Sequence, residues 1–294
     1  MLLKQYKTHF FETLKNIQEE QEIESFFFIL TEYLHNLKRV DVALNPNFEL
    51  LDAEVKKWDS ILAQLQQEKP IQYITGETWF YGLQFEVNEN TLIPRPETEE
   101  LVKWILDSQK LKDKSQKVEV LDIGTGSGCI PIALKANLPQ VNVSAIDVSQ
   151  QALEVAKRNA DLNKVTINFI LANILEVEDL SQLTSSFIHH PSSYNIIVSN
   201  PPYVRNLEKR EIKKNVLDYE PHLALFVADK EPLLFYRKIA QLALKSLAPN
   251  GLLFFEINQY LGKETIELLE NLGFKNIELK KDMYGNDRMI KCKK

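Results

Sequence analysis

Over residues 1–74 apolar side chains recur at steps of three and four. Tyr6, Phe10, Leu14 and Ile17 fall on one face of a helix, and Ile23, Phe26, Phe27, Leu30 and Leu34 on the face of a second. Val55, Trp58, Ile61, Leu62 and Leu65 make a third stripe, and Asn45-Pro46 interrupts the pattern before it. Helices that are apolar on one side bury that side by packing together. A small α-helical bundle is therefore predicted as an N-terminal domain, residues 1–74.

The period changes between Ile71 and Asn90. The run from Trp79 to Val87 reads as a hairpin with Gly82 at a turn or bulge, and residues 75–91 as a linker between two domains. After Thr91 strands alternate with helices, the signature of a mostly parallel sheet. Strands are expected near 118–122, 141–147, 167–171, 194–199 and 251–256. Two more, near 275–281 and 287–292, flank Met283-Tyr284-Gly285-Asn286 and suggest an antiparallel hairpin at the sheet edge. The fold class is α/β, with a Rossmann-like domain over 92–294. There are no internal repeats and no low-complexity tract.

In open parallel sheets ligands bind beyond the carboxyl ends of the strands. The chemistry of this chain gathers at such ends. The apolar run Ile196-Ile197-Val198-Ser199 is followed by Asn200-Pro201-Pro202-Tyr203. The Asn200 side-chain oxygen and the Pro201 carbonyl can each accept a hydrogen bond from a flat group bearing NH2. The prolines fix their own φ and so hold those acceptors in place. Tyr203 can lie against a planar amide or base. Upstream, Val118–Asp122 runs into Gly124-Thr125-Gly126-Ser127-Gly128 and then a helical stretch beginning at Cys129. Strand, glycine-rich turn and helix form a nucleotide-cofactor layout. A dinucleotide fingerprint wants its third glycine where this chain has Cys129; glycines alternating at 124, 126 and 128 are the spacing of S-adenosylmethionine sites. Asp147 ends the next strand, about 20 residues on, where a carboxylate can take both ribose hydroxyls. Asn173 follows the strand after that. Taken singly, these features also read as a proline-rich turn, a tight turn, and a cap for a helix over Gln150–Ala160.

Two further segments flank this crevice. Arg95, between Pro94 and Pro96 just before a helix, can meet an acidic partner or a cofactor carboxylate, or form a structural salt bridge. The charged stretch from Glu208 to Lys214 reads as a solvated loop or helix face.

Composition narrows the function classes. The 294 residues suffice for one large domain or two ordinary ones. Forty-one acids against 35 bases give a net charge of −6, and residues 1–70 carry 12 acids against 8 bases. That balance counts against a protein that grips nucleic acid through its phosphates. Cys129 and Cys292, far apart, fit free thiols in a reducing cytoplasm. No apolar run reaches the roughly 18 residues of a membrane span, and the first residues lack a signal-peptide core. His9, His35, His189, His190 and His222 show no metal-ligand spacing; the adjacent His189-His190 reads as a solvated loop.

Several segments together resemble the HemK/PrmC family of glutamine N5-methyltransferases. They include Gln72-Tyr73-Ile74-Thr75-Gly76, Phe80-Tyr81-Gly82 and Leu92-Ile93-Pro94-Arg95-Pro96-Glu97-Thr98-Glu99. The glycine loop, Asp147, Asn200-Pro201-Pro202-Tyr203, Tyr219-Glu220-Pro221, Leu233-Leu234-Phe235-Tyr236-Arg237 and Asp287-Arg288 continue the likeness over nearly the whole chain. The resemblance implies a class I methyltransferase domain using S-adenosylmethionine, and as target the glutamine of the Gly-Gly-Gln motif in peptide chain release factors. It implies that residues 1–74 help recognise that protein substrate; a monomer is the default expectation, the sequence leaving the oligomeric state open. Gly124, Thr125, Gly126, Ser127, Gly128, Asp147, Asn173, Ile174 and Asn200 would then hold the cofactor. Asn200, Pro201, Pro202 and Tyr203 would carry catalysis and, with Arg95, bind substrate. The chain departs from the family pattern at three places. Asn173-Ile174 replaces an acid and an aromatic, which would give adenine an aliphatic neighbour; Val227-Ala228 replaces a glycine pair; and Glu256-Ile257-Asn258 replaces Glu-Ile-Gly. Because the tetrapeptide also suits the exocyclic amine of adenine, a nucleic-acid adenine N6-methyltransferase stays open at this stage. So does a glutamine methyltransferase acting on a ribosomal protein.

Overall fold

A computed structural model describes residues 1–108, 118–183 and 193–294; the His189-His190 pair lies outside them. The chain forms two compact units, Met1–Gly76 with Lys213–Tyr219, and Glu77–Ile212 with Glu220–Lys294. Its elements begin with α1 (Leu3–Leu14), α2 (Glu20–His35), α3 (Arg39–Leu44), α4 (Asp52–Gln66) and α5 (Ile71–Thr75). Next come β1 (Glu77–Phe80), β2 (Leu83–Glu86), α6 (Pro96–Leu106), β3 (Glu119–Ile123), α7 (Cys129–Asn137), β4 (Asn142–Asp147), α8 (Gln150–Leu162) and β5 (Asn168–Leu171). After β6 (Tyr194–Ser199) follow β7 (Val204–Arg205), α9 (Lys214–Tyr219), α10 (His222–Leu225) and β8 (Phe226–Val227). The chain ends with α11 (Leu234–Ser246), β9 (Leu247–Glu256), α12 (Gly262–Leu272), β10 (Lys275–Lys281) and β11 (Asp287–Lys293).

In the first unit the three helical stripes meet in one core. Tyr6, Phe10, Phe27, Leu30, Ile61, Leu62 and Leu65 share that core with the wholly buried Trp58, whose ring packs against Tyr6, Phe10 and Phe27. Ile17 departs from its expected place: α1 stops at Leu14, the carbonyl of Leu14 accepts from the Ile17 N–H, and Ile17 is left exposed in the turn toward α2. The linear boundary at residue 74 also misses α9, where the Tyr219 hydroxyl donates to the Gln67 carbonyl and Lys214 pairs with Glu68.

The second unit is a three-layer sandwich. Its seven-stranded sheet has the order β10-β11-β9-β6-β3-β4-β5. Only β11 runs antiparallel, lodged between β9 and β10. Successive residues on a strand face opposite sides. Leu121, Ile197 and Phe255 therefore join α11 and α12 on one side, while Val120, Val198 and Phe254 join α6 and α7 on the other. Cys129 and Cys292 fall in these opposite layers as free thiols. The β1–β2 hairpin, expected within a linker, belongs to this unit. Tyr81 and Gly82 both take positive φ, 51° and 74°, as a two-residue turn requires. The buried Asn159 clamps the hairpin to α8, accepting from the Glu86 N–H and donating to the Glu86 and Ser127 carbonyls. No helix among the described residues is long and apolar enough to cross a membrane.

One contact in the first unit gives a measurable pH dependence. The Trp58 indole N–H donates to His35 Nε2 at 2.9 Å, so that nitrogen is unprotonated and the ring proton sits on Nδ1, 3.4 Å from Glu54. Burial holds the His35 pKa below its ordinary value, against the pull of Glu54. A lowered folded pKa means the unfolded chain takes up the proton first, so stability is complete above about pH 6.5 and is lost as pH falls through the folded value. Urea unfolding should show this loss in the wild type, and His35→Gln, which keeps an acceptor for Trp58, should remove it. Identical pH dependence in both proteins would show that His35 is not its source.

Candidate active site

The parallel register places the sequence-predicted residues side by side. Ile123 on β3 pairs with Ile146 on β4 and with Ser199 on β6. The next residue of each strand is Gly124, Asp147 and Asn200. The N–H groups of Gly124 and Thr125 donate to the Ile146 carbonyl at 2.8 and 3.0 Å, and the Ser199 hydroxyl donates to the Ile123 carbonyl at 2.6 Å. A Cβ on Gly124 would lie 3.9 Å from the Asn200 carbonyl oxygen. Residues far apart in sequence thus stand together at the carboxyl edge of the sheet. Gly128 closes the loop onto α7 with φ +81°, and a Cβ there would meet Ile132 at 3.0 Å and Ala156 at 3.1 Å. The missing side chain lets α7 lie against α8.

Two carboxylates serve this loop differently. Asp147 holds it: its Oδ2 accepts from the Gly126 N–H at 2.8 Å and its Oδ1 from the Ser149 N–H at 2.9 Å. Burial raises its pKa, and these N–H groups work against the rise. The α8 cap is Ser149, whose hydroxyl accepts from the Ala152 N–H, so Asp147 does not cap that helix directly. Asp122 is wholly buried, and among the described residues its oxygens and the buried Thr125 hydroxyl find no hydrogen-bond partner beyond each other. Burial pushes the Asp122 pKa up to about 7, with the Thr125 hydroxyl drawing it down in part and Asp147 adding to the rise. An unpartnered buried polar group costs roughly 1–3 kcal/mol, so it is a place where a ligand group is expected. A carboxylate and a hydroxyl with no partner but each other beside an open glycine loop fit the cationic amine of S-adenosylmethionine, and Asp147 at the next strand end fits its ribose diol. Asn173 shapes the turn after β5, donating to Glu176 and accepting from the Leu175 N–H, while Ile174 is buried in the core. Among the described residues no His/Cys/Asp/Glu cluster could hold a metal ion.

Around Asn200 lies a network that no sequence motif announced. The Asn200 amide nitrogen approaches the Thr98 hydroxyl at 3.4 Å, and its Oδ1 has no donor among the described residues. Thr98 donates to Glu256 Oε2 at 2.6 Å, and the Tyr203 hydroxyl to Glu256 Oε1 at 3.1 Å. Burial raises the Glu256 pKa, against the Thr98 hydrogen bond and the charge of Arg288. Burial and the neighbouring Glu256 likewise raise Tyr203. Asn258, where the family pattern has glycine, donates to the Tyr203 carbonyl at 2.9 Å and to Glu208 at 2.8 Å. Glu208 is buried and also holds Arg205, which corrects the expectation of a solvated charged stretch at that residue, while Arg210, Glu211, Lys213 and Lys214 are exposed as expected: an acid ringed by four donors can leave water. Pro201 is buried, Pro202 and Tyr203 half-buried. Arg95 pairs with the buried Glu220, whose other oxygen accepts from the Ile93 N–H. Asp122 and Glu256 share one signal that sequence reading passed over: an acid at or near the end of an otherwise apolar strand.

Residues 6–76 match the PrmC N-terminal domain family and residues 105–219 the methyltransferase small domain family. The chain is 61% identical to a release factor glutamine methyltransferase of Flavobacterium psychrophilum, with 99% of both chains covered. It is 38% identical to the protein of that name from Bacteroides thetaiotaomicron, over 95% of each. Its fold is shared by a methyltransferase from Pyrococcus furiosus, with a TM-score of 0.51 at 18% identity, over 80% of this chain and 98% of that one.

The packing at Gly128 can be tested directly. Gly128→Ala should destabilise the protein by about 2 kcal/mol, from left-handed strain plus overlap with Ile132 and Ala156. The urea midpoint would fall at constant slope; an unchanged midpoint would show that α7 and α8 have room to spare.

Proposed function

This chain belongs to the release factor glutamine methyltransferase family, and on that footing we propose how its residues carry the reaction. The methyl group of S-adenosylmethionine passes to the side-chain amide nitrogen, N5, of the glutamine in a release factor's Gly-Gly-Gln motif. The observation that carries this reading is the free Oδ1 of Asn200, held beside the glycine loop by strand register.

The bound cofactor supplies an electrophilic methyl group on a sulfonium. The protein must make a poor nucleophile attack it. An amide nitrogen is weakly nucleophilic because its lone pair is spread into the carbonyl, the resonance that also flattens peptide bonds. Asn200 Oδ1 and the Pro201 carbonyl accept the two N–H groups of the glutamine amide and favour a geometry that localises the lone pair toward the methyl group. As the new N–C bond forms, the nitrogen gains positive charge, so fixed acceptors stabilise the transition state more than the neutral amide. Tyr203, held by Glu256 and Asn258, walls the amide. No strong base faces the site in the motif, and the proton leaves to solvent after transfer.

Gly124, Thr125, Gly126, Ser127 and Gly128 pass the methionine tail along bare backbone, Asp122 takes its amine, Asp147 the ribose, and Asn173-Ile174 the adenine side. Arg95 with Glu220 fixes the segment before α6. The first unit helps recognise the release factor, and the protein works as a cytoplasmic monomer with no membrane attachment. The acidic N-terminal region, 12 acids against 8 bases over residues 1–70, favours a protein substrate over the phosphates of RNA or DNA.

Two measurements test this. Purified protein with labelled S-adenosylmethionine should mark a release factor and lose the mark when the Gly-Gly-Gln glutamine is changed; label on RNA or a ribosomal protein instead would overturn the reading. In the same assay Asn200→Ala should lower kcat by about 100-fold or more, the scale of losing one transition-state partner, with cofactor affinity within a few-fold. Cofactor affinity should also rise with pH through about 7, where Asp122 ionises, by up to about tenfold per unit below that point. The sign follows because a cationic amine prefers the carboxylate. Calorimetry of Asp122→Asn should lose this limb, and an unaltered limb would remove Asp122 from the amine.

A further inference from the structure

Asn200 can serve the proposed reaction only if its amide is the right way round. Oxygen toward the glutamine accepts its N–H; nitrogen toward the glutamine sets donor against donor. We propose that Thr98, held by Glu256, is a positioning residue that biases the amide toward this orientation and so favours Asn200 as an acceptor. The inference deepens the glutamine-methyltransferase reading and rests on it.

The argument is one of hydrogen-bond direction. Thr98 is 2% exposed and Glu256 1%. A hydroxyl has one proton and two lone pairs. At 2.6 Å from Glu256 Oε2, the Thr98 proton goes to the carboxylate, a short, charge-assisted bond. Only lone pairs are then left to face Asn200. The Asn200 nitrogen therefore turns to Thr98, at 3.4 Å, because its oxygen there would set two acceptors against each other. The contact is long, so it biases the amide rather than clamping it, and the bias points Oδ1 away from Thr98. Glu256 cannot readily turn away from Thr98, since its Oε1 takes the Tyr203 hydroxyl at 3.1 Å. Burial, with Glu97, works against the charged form of Glu256, and the Thr98 and Tyr203 hydrogen bonds and Arg288, itself paired with Asp282 at 3.0 Å, work for it.

The fold supplies the geometry. Ser199 on β6 pairs with Phe255 on β9, so Asn200 and Glu256 leave adjacent strands side by side. Thr98 stands in the first turn of α6, whose start is set by Pro96. Asn200 and Thr98 are 102 positions apart in sequence, and Thr98 and Glu256 are 158 apart.

Thr98→Val keeps the side-chain shape and removes both the donor and the acceptor, while Thr98→Ser keeps them. Each variant is assayed on a release factor, with kcat referred to the amount of S-adenosylmethionine bound, so that a partly unfolded sample does not mimic the effect. Thr98→Val should lower kcat about tenfold, with cofactor Kd and release-factor KM within about twofold, and Thr98→Ser should restore most of the rate. A tie that merely joins α6 to β9 would lower the melting temperature and leave kcat per bound cofactor unchanged; that result would overturn the proposal. So would a Thr98→Ser enzyme as slow as Thr98→Val. If the wild type itself leaves the glutamine unlabelled, the reaction assignment has failed, which is seen before any variant is compared.

Discussion

Ile123 lies between Ile146 and Ser199 in the parallel sheet, and the site is built on that register. Parallel strands end on the same edge, so one pairing decides where Gly124, Asp147 and Asn200 stand relative to each other. A slip of one residue would turn every side chain to the other face and exchange the two apolar layers. The register is therefore protected by the whole core. Apolar packing on both sides of β6 decides where the Asn200 backbone stands, and the orientation of its side-chain amide is left to its own contacts.

The two buried carboxylates near this edge play opposite parts. Glu256 is fully engaged, accepting from Thr98 and Tyr203, and belongs to the scaffold. Asp122 has no partner among the described residues beyond the Thr125 hydroxyl, and burial raises its pKa. A buried polar group left unsatisfied costs roughly 1–3 kcal/mol, a large part of the net stability of a domain. In the proposed mechanism the cofactor amine offsets that cost at the glycine loop.

Much of this could be read from the chain. Strand ends with chemistry after them survive in the fold because periodicity and turn residues act locally; Glu119–Ile123, Asn142–Asp147 and Tyr194–Ser199 stand within a residue of expectation. Local chemistry also found the hairpin turn at Gly82, but not the clamp by Asn159, which is 73 positions from Glu86. What escaped reading was side-chain pairing across the fold. Thr98 sits inside a recognised segment, yet nothing local says that its hydroxyl meets Glu256. Asn258 reads as a departure from a glycine and proves to be a tie to the Tyr203 carbonyl. Glu208 reads as surface charge, and is buried because Arg205 and Asn258 supply its donors.

The acceptor role of Asn200 is tested most directly by a crystal structure of the protein with the demethylated cofactor and a Gly-Gly-Gln peptide. The glutamine amide nitrogen should lie within hydrogen-bond reach of Asn200 Oδ1 and the Pro201 carbonyl, facing the cofactor sulfur. A glutamine bound with its amide turned away from Asn200, or held by the Asn200 nitrogen, would contradict the mechanism.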